Sequence, residues 1–302
     1  MALNFLVRKV RAGWALGLPR FLALALHSLV CRLWELMPTW PEEARDFVVG
    51  VVTASGHITR SRDPAAPVRV EQQVEGIGPP FVAFVRPDSS DLAVWNQVVH
   101  QRQYAPVVRI LEEAGCLEVE TILDLGANVG LTAAYLGAIY PNARILAVEP
   151  DPASFQLLKR NTETLGARVH ALQAAFWIRD EPLTWSAQQF RDGRHWARAV
   201  EPTGNGRDSI DVVTPADALS RLGVARADFA KVDIEGAEAA FFATEEDSEA
   251  FLGLADVFAI ELHLESVDPL KAAIAFDRCG FLTFSAADFV IAIRRKRMSA
   301  VV

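Results

Sequence analysis

The chain has 302 residues, of which 51% are hydrophobic and 23% charged, an ordinary globular usage that excludes disordered, collagen-like and low-complexity classes. Its three cysteines, Cys31, Cys116 and Cys279, are too scattered for a disulfide framework or a paired zinc site, so a reducing, cytoplasmic setting is the simplest reading. Thirty basic against 38 acidic side chains give a net charge of −8, the wrong sign for gripping phosphate backbones, and no nucleic-acid partner is expected.

Taken in chain order, the first feature is basic and apolar. Residues 1–40 carry Arg8, Lys9, Arg11, Arg20 and Arg32 against Glu35, a balance of +4; Arg294, Arg295, Lys296 and Arg297 add +4 near the other end, leaving the body at −16. The longest uncharged run, Phe21 to Cys31, is 11 residues, whereas a spanning helix needs roughly 20. Arg32, Trp34 and Glu35 follow it where a cleaved leader would have small residues. The stretch therefore reads as a helix packed on the main domain or on a second copy of the chain. A peripheral membrane contact through residues 1–37 is the alternative, because basic flanks on an apolar helix suit anionic headgroups.

Pro38, Pro41 and the run Ser61 to Pro67 punctuate the way out, which divides the chain into a helical extension (1–66), a hairpin and helix cap (67–118) and a main domain (119–302). Val68 to Val74 alternates apolar and polar, and Phe81 to Val85 reads as its hairpin partner. Asp91 to Ala114 has helical spacing broken near Pro106, with Asp91 placed to cap the first turn. Beyond it, apolar runs at 121–125, 145–148, 169–172, 229–232 and 257–262 alternate with helical segments, the pattern of a parallel sheet covered on both faces. A last strand pair, from Gly280 and from Phe289, joined by a turn at Ser285 to Asp288, adds an antiparallel edge.

Chemistry gathers at the strand ends. Asp124-Leu-Gly126-Ala-Asn128-Val-Gly130 joins a buried strand to a helix, and Gly126 and Gly130 let the backbone bend and approach a ligand. A dinucleotide turn would need a middle glycine for the pyrophosphate; Asn128 stands there instead. Asp124 would repel a pyrophosphate and suit an ammonium, directly or through water. Glu149 ends the second strand, where it can accept hydrogen bonds from ribose hydroxyls. After the third strand, Gln173 and Ala175 stand where an adenine could pack, with an amide available from Gln173. The fourth strand ends in Lys231-Val-Asp233-Ile-Glu235-Gly-Ala-Glu238, three carboxylates that need a cation, a proton or a donor.

These segments, above all VDIEGAE, resemble the FkbM family of S-adenosylmethionine-dependent methyltransferases, and the likeness runs from about residue 80 to 295 through Tyr104, His195-Trp196 and Glu261-Leu-His263. The resemblance implies an α/β, Rossmann-like class I sheet of seven strands, mostly parallel with an antiparallel C-terminal strand, preceded here by the helical and hairpin extension. It also implies S-adenosylmethionine as cofactor and O-methylation of a hydroxyl on a sugar, glycan or secondary metabolite. Asp124, Gly126, Asn128 and Gly130 match its cofactor turn, Glu149 its ribose acid and Asp233 its strand-four acid. Asp233 and His263 stand level as the base that takes the hydroxyl proton, with Glu235 behind them because Gly236 suggests a turn-shaping role. A magnesium held by Asp233 and Glu235 lacks an evident third oxygen ligand, so no metal is predicted. Acceptor recognition is placed in residues 177–207, where Trp177, Trp185, Phe190, His195 and Trp196 stand among arginines; a lid packing on the core is the alternative. An inactive binder of the cofactor or a glycan would share this fold. A nicotinamide dehydrogenase shares its turn but not the missing glycine.

Overall fold

The computed structural model describes residues 47, 51, 56–59, 63, 66–87, 89–113, 115, 118–186, 199–203, 209–286 and 288–298. The predicted N-terminal helix, Cys31, Cys116, and Phe190, His195 and Trp196 of the aromatic insertion lie outside the described residues. Among the described residues, no helix is long and apolar enough to cross a membrane.

The hairpin forms as the alternation requires. Strands β2 (Val68–Gln72) and β3 (Phe81–Val85) pair antiparallel, each burying every second residue. A short β1 (His57–Thr59) joins on the far side of β2, so this small sheet draws residues from both sides of the 66/67 division. Trp95 and Phe81 pack under it with ring centres 5.9 Å apart. The helical segment that follows is broken as expected: α1 (Asp91–Trp95) runs into a π-turn at Asn96–His100, and α2 (Ala105–Glu113) starts one residue before Pro106, where the missing N–H costs nothing. Asp91 does not cap α1. Its fully buried carboxylate turns back to accept hydrogen bonds from the backbone N, Nε and Nη2 of Arg86, so it closes the loop out of β3.

The main sheet has seven strands: β4 (Thr121–Leu125), β5 (Arg144–Val148), β6 (Val169–Leu172), β11 (Ala227–Val232), β12 (Ala255–Glu261), β13 (Phe281–Ala286) and β14 (Phe289–Arg294). Its order is β13-β14-β12-β11-β4-β5-β6. Only β14 runs antiparallel, slotted between β12 and the edge strand β13. Two small pairs stand outside it, β7 (Ala175–Phe176) with β10 (Val212–Val213) and β8 (Leu183–Trp185) with β9 (Val200–Pro202).

Alternation along the strands builds a core on each face. Ile122, Ile145, Phe229 and Val257 face α1, α2 and α3 (Leu131–Ile139), whereas Leu123, Leu146, Val232 and Phe258 face a layer containing Phe241, Phe251 and Phe276. Each such side chain contributes roughly 1.5–3 kcal/mol on burial. Strong caps set the helices beside the sheet. Asp151 accepts from the N–H groups of Ala153 and Ser154 at the start of α4 (Pro152–Asn161), and Thr214 forms a capping box with Asp217 at α5 (Pro215–Leu222). The chain leaves β4 toward β5 and β6, then returns on the other side through β11. Such a reversal opens a crevice beyond the carboxyl ends of β4 and β11.

Candidate active site

A cleft lies at that reversal, walled by Gly126, Asn128, Glu149, Asp233, Glu235 and Glu261, and also by the apolar Val98, Val148, Phe176 and Val200. Three strand ends predicted separately thus meet in one place. Gly126 has φ +77°, and Asn128 at φ +49° is in a left-handed conformation that Asn tolerates better than most residues. Asn161 at the end of α4 ties this turn to the hairpin, donating to the carbonyls of Val129 and Phe84 and accepting from Phe84 N–H.

Asp124 is brought to the same region but lies beneath the cleft, fully buried. Its ammonium partner is internal. The register of β4 and β11 places Lys231 opposite Asp124 on one sheet face, with Lys231 Nζ 3.5 Å from Asp124 and 3.6 Å from Asp233 and donating to the Gly126 carbonyl at 2.6 Å. Burial works against the Lys231 ammonium, but the charges of Asp233 and Asp124 outweigh it and hold its pKa above the usual lysine value. Burial raises the Asp124 carboxyl, with Lys231 pulling it back. The expectation that Asp124 faces the ligand is corrected accordingly: its side chain shares the face of Ile122, packed under α2 and α3, rather than the open end of the strand. Lys231 is the functional residue that sequence reasoning passed over, and a lone lysine inside the apolar run FAKV was its signal.

Glu149 ends β5 within the cleft. Its two oxygens accept the backbone N–H groups of Asn128 and Asp151, both at 2.8 Å, and each oxygen keeps a further acceptor site. Burial pushes the carboxyl up to about 7, with those two N–H donors working the other way. Arg86, bonded to Asp91 and to Ser154 Oγ, buttresses this side.

His263 follows β12 and is fully enclosed, outside the cleft lining. Its Nδ1 lies 3.0 Å from Oε1 of the buried Glu238, which also accepts from Ile234 N–H, while Nε2 is 3.5 Å from Glu235 and 3.9 Å from Glu261. Burial opposes the charged ring, but the Glu238 hydrogen bond and the charges of Glu238, Glu235 and Asp233 push its pKa up to about 9. Fully enclosed and off the cleft lining, His263 is not placed to take a proton from an acceptor, so its assignment as general base is corrected; Asp233 lies on the cleft wall. Glu235 also lines the cleft, at φ +53°, a conformation costly for a residue with a long side chain.

Two further expectations change. Gln173 is exposed and away from the cleft, which Ala175 and Phe176 line instead, because the strand end turns its side chain outward. Gly130 does not line it either; at φ +79° it starts α3 against Leu158, where a Cβ would come within 2.9 Å of the Leu158 Cα. Of the aromatic insertion, Trp185 reaches the cleft from the β8–β9 hairpin, whereas Trp177 is buried and donates to Glu181.

Methyltransferase 1 of Beauveria bassiana is 29% identical over a match covering 39% of this chain and 55% of that protein. Methyltransferase sdnD of Sordaria araneosa is 30% identical over 39% of this chain and 57% of its own length. The chain spans little more than half the length of these curated relatives. Among solved structures, a precorrin-6y C5,15-methyltransferase from Geobacter metallireducens matches at 14% identity and a TM-score of 0.35, covering 63% of this chain and 88% of that one. The model of the Methyltransferase FkbM domain matches residues 124–281, from the acid of the glycine turn to the first residue of the edge strand. That span is just over half of the chain and contains every strand-end acid described above, so the chain belongs to the FkbM methyltransferase family, whose cofactor is S-adenosylmethionine.

Proposed function

We propose that the chain transfers a methyl group from S-adenosylmethionine to a hydroxyl oxygen of a small-molecule or glycan acceptor. The observation that carries this reading is the convergence of the glycine turn, Glu149 and Asp233, from three adjacent strands, on a single cleft. The residues present fit the donor. Glu149 and Asp151 line one part of the cleft and can accept from ribose hydroxyls, and the faces of Val148, Ala175 and Phe176 suit a purine. Asp233, Glu235 and Glu261 concentrate negative charge elsewhere in it, which suits a cation.

When bound, this cofactor supplies an electrophilic methyl on positively charged sulfur. Asp233 accepts the proton from the acceptor oxygen, a role worth about 10²–10⁴-fold in rate. Lys231, anchored to the Gly126 carbonyl, holds Asp233 beside the turn. Trp185 and Val200 offer an apolar face against which a sugar ring can stack, and they exclude water from that side. Most of the acceleration comes from such positioning, up to about 7–11 kcal/mol.

Calorimetry with S-adenosylmethionine and with NAD tests the reading: the first should bind and the second should not, and a tritium-transfer assay separates an enzyme from a binder. Glu149→Ala should raise the Kd for S-adenosylmethionine by about tenfold or more, about 1.4 kcal/mol; an unchanged Kd removes Glu149 from the ribose. Its ionisation adds a pH signature. The carboxylate accepts from hydroxyls best when charged, so affinity for 5′-methylthioadenosine, which keeps the ribose and lacks the titrating amine, should rise as pH increases through about 7. Glu149→Gln should flatten that rise.

A further inference from the structure

We propose that Asp233, Glu261 and His263 form a site for a small divalent cation at the inner wall of the cleft. One ligand atom from each lies within 4.8 Å of the others. Two features beyond the acidic cluster point to a metal. First, the His263 ring is fixed from behind by Glu238, which belongs to another element and is itself fully buried, so that Nδ1 is engaged and Nε2 is the nitrogen turned toward Glu235 and Glu261. A carboxylate holding the far nitrogen is the usual support of a metal-binding histidine. Second, Glu235, Glu238 and Glu261 all stand within 4 Å of one imidazole, and a divalent cation on Nε2 answers more of that negative charge than the single ring proton it displaces.

The size is right with a small adjustment. Metal–ligand bonds of about 2.1 Å place cis ligands about 3 Å and trans ligands about 4.2 Å apart, so the carboxylates must close by roughly an ångström. Asp233 and Glu261 are only partly buried and have room to do so. A mixed set of two carboxylates and one imidazole suits Mn2+ or a neighbouring first-row ion, and three protein ligands leave positions open toward the cleft.

The role of the site rests on the methyltransferase reading. An acceptor hydroxyl on the cation would lose its proton more readily, with one oxygen of Asp233 ligating and the other free to receive it. The acceptor oxygen then bonds the methyl carbon, the carbon–sulfur bond breaks, and its electron pair stays on sulfur, leaving a thioether.

Mn2+ titration of the full chain followed by electron paramagnetic resonance, with pulsed detection of nitrogen coupling, tests the site without any turnover. One Mn2+ per chain should bind, its echo modulated by an imidazole nitrogen. Glu261→Gln and Asp233→Asn should each weaken binding about tenfold or more, and Glu265→Gln, on an exposed neighbour, should not. Absence of a saturable site up to about 1 mM, bound Mn2+ without nitrogen modulation in the unaltered protein, or affinity untouched by both variants overturns the proposal. Calorimetry of S-adenosylmethionine on the same samples keeps the two readings apart: cofactor binding without Mn2+ binding rejects the metal site alone, and the reverse rejects the donor assignment alone.

Discussion

Lys231→Met should destabilise the protein by about 3–5 kcal/mol at neutral pH, the range for removing one partner of a buried ion pair. Lys231 is 2% exposed and Asp124 is fully buried, so neither charge can turn to water when the other is lost. The sign with pH is fixed by Asp124. Its carboxyl is already raised by burial, and Lys231 is the main influence lowering it; without the lysine it rises further above its unfolded value. A group with a raised folded pKa binds its proton more tightly when folded, so the variant's deficit should be smallest in acid and grow as pH climbs above the ordinary aspartate range. Urea unfolding at acid and neutral pH measures this. The double variant Lys231→Met/Asp124→Asn should recover much of the loss, because it leaves no buried charge unmatched. A deficit of the same size at every pH would show that Lys231 acts through packing and its hydrogen bond to Gly126 rather than through Asp124. Cofactor affinity should fall with the single variant as well, since Lys231 also holds the Gly126 carbonyl and stands beside Asp233.

Gly126→Ala should be comparably severe for a different reason. At φ +77° a Cβ-bearing residue is strained, at roughly 1–2 kcal/mol. The new Cβ would also overlap the carbonyl oxygen of Asp233 and lie 2.8 Å from its carbonyl carbon, backbone that cannot rotate away as a side chain can. Overpacking of this kind adds about 1–3 kcal/mol, so a loss of about 2–5 kcal/mol is expected. The damage falls on the site as well: β11 must shift at Asp233 to admit the methyl group, and both cofactor binding and methyl transfer should drop together. Gly223→Ala is the control. Gly223 has a similar φ of +67°, but a Cβ there would meet nothing within 4 Å, so this variant should carry the backbone strain alone and leave the cleft intact. Equal unfolding midpoints for the two variants would mean that contact with Asp233 contributes nothing.

The amino-acid order by itself marked the hairpin and the strands of the main sheet to within a residue or two, while the short strands β1, β7, β8, β9 and β10 left no such mark. Short hydrophobic runs that alternate with helical segments fit parallel strands buried on both faces, so the sheet, its antiparallel C-terminal pair and the placing of Gly126, Glu149 and Asp233 at carboxyl ends were readable from local chemistry. What a strand end touches was not. Whether Asp124 meets a ligand or Lys231 depends on the register between β4 and β11, whose residues are more than a hundred positions apart. His263 looked like a base because an imidazole is the usual proton acceptor near neutral pH; only the packing of Glu238 from another element encloses it and engages its Nδ1. Gln173 failed for the same reason, since a side chain's side of the sheet follows from how the strand turns on leaving it. Local sequence specifies backbone conformation over a few residues through sterics and burial, while the partners of a buried charge are chosen by long-range pairing.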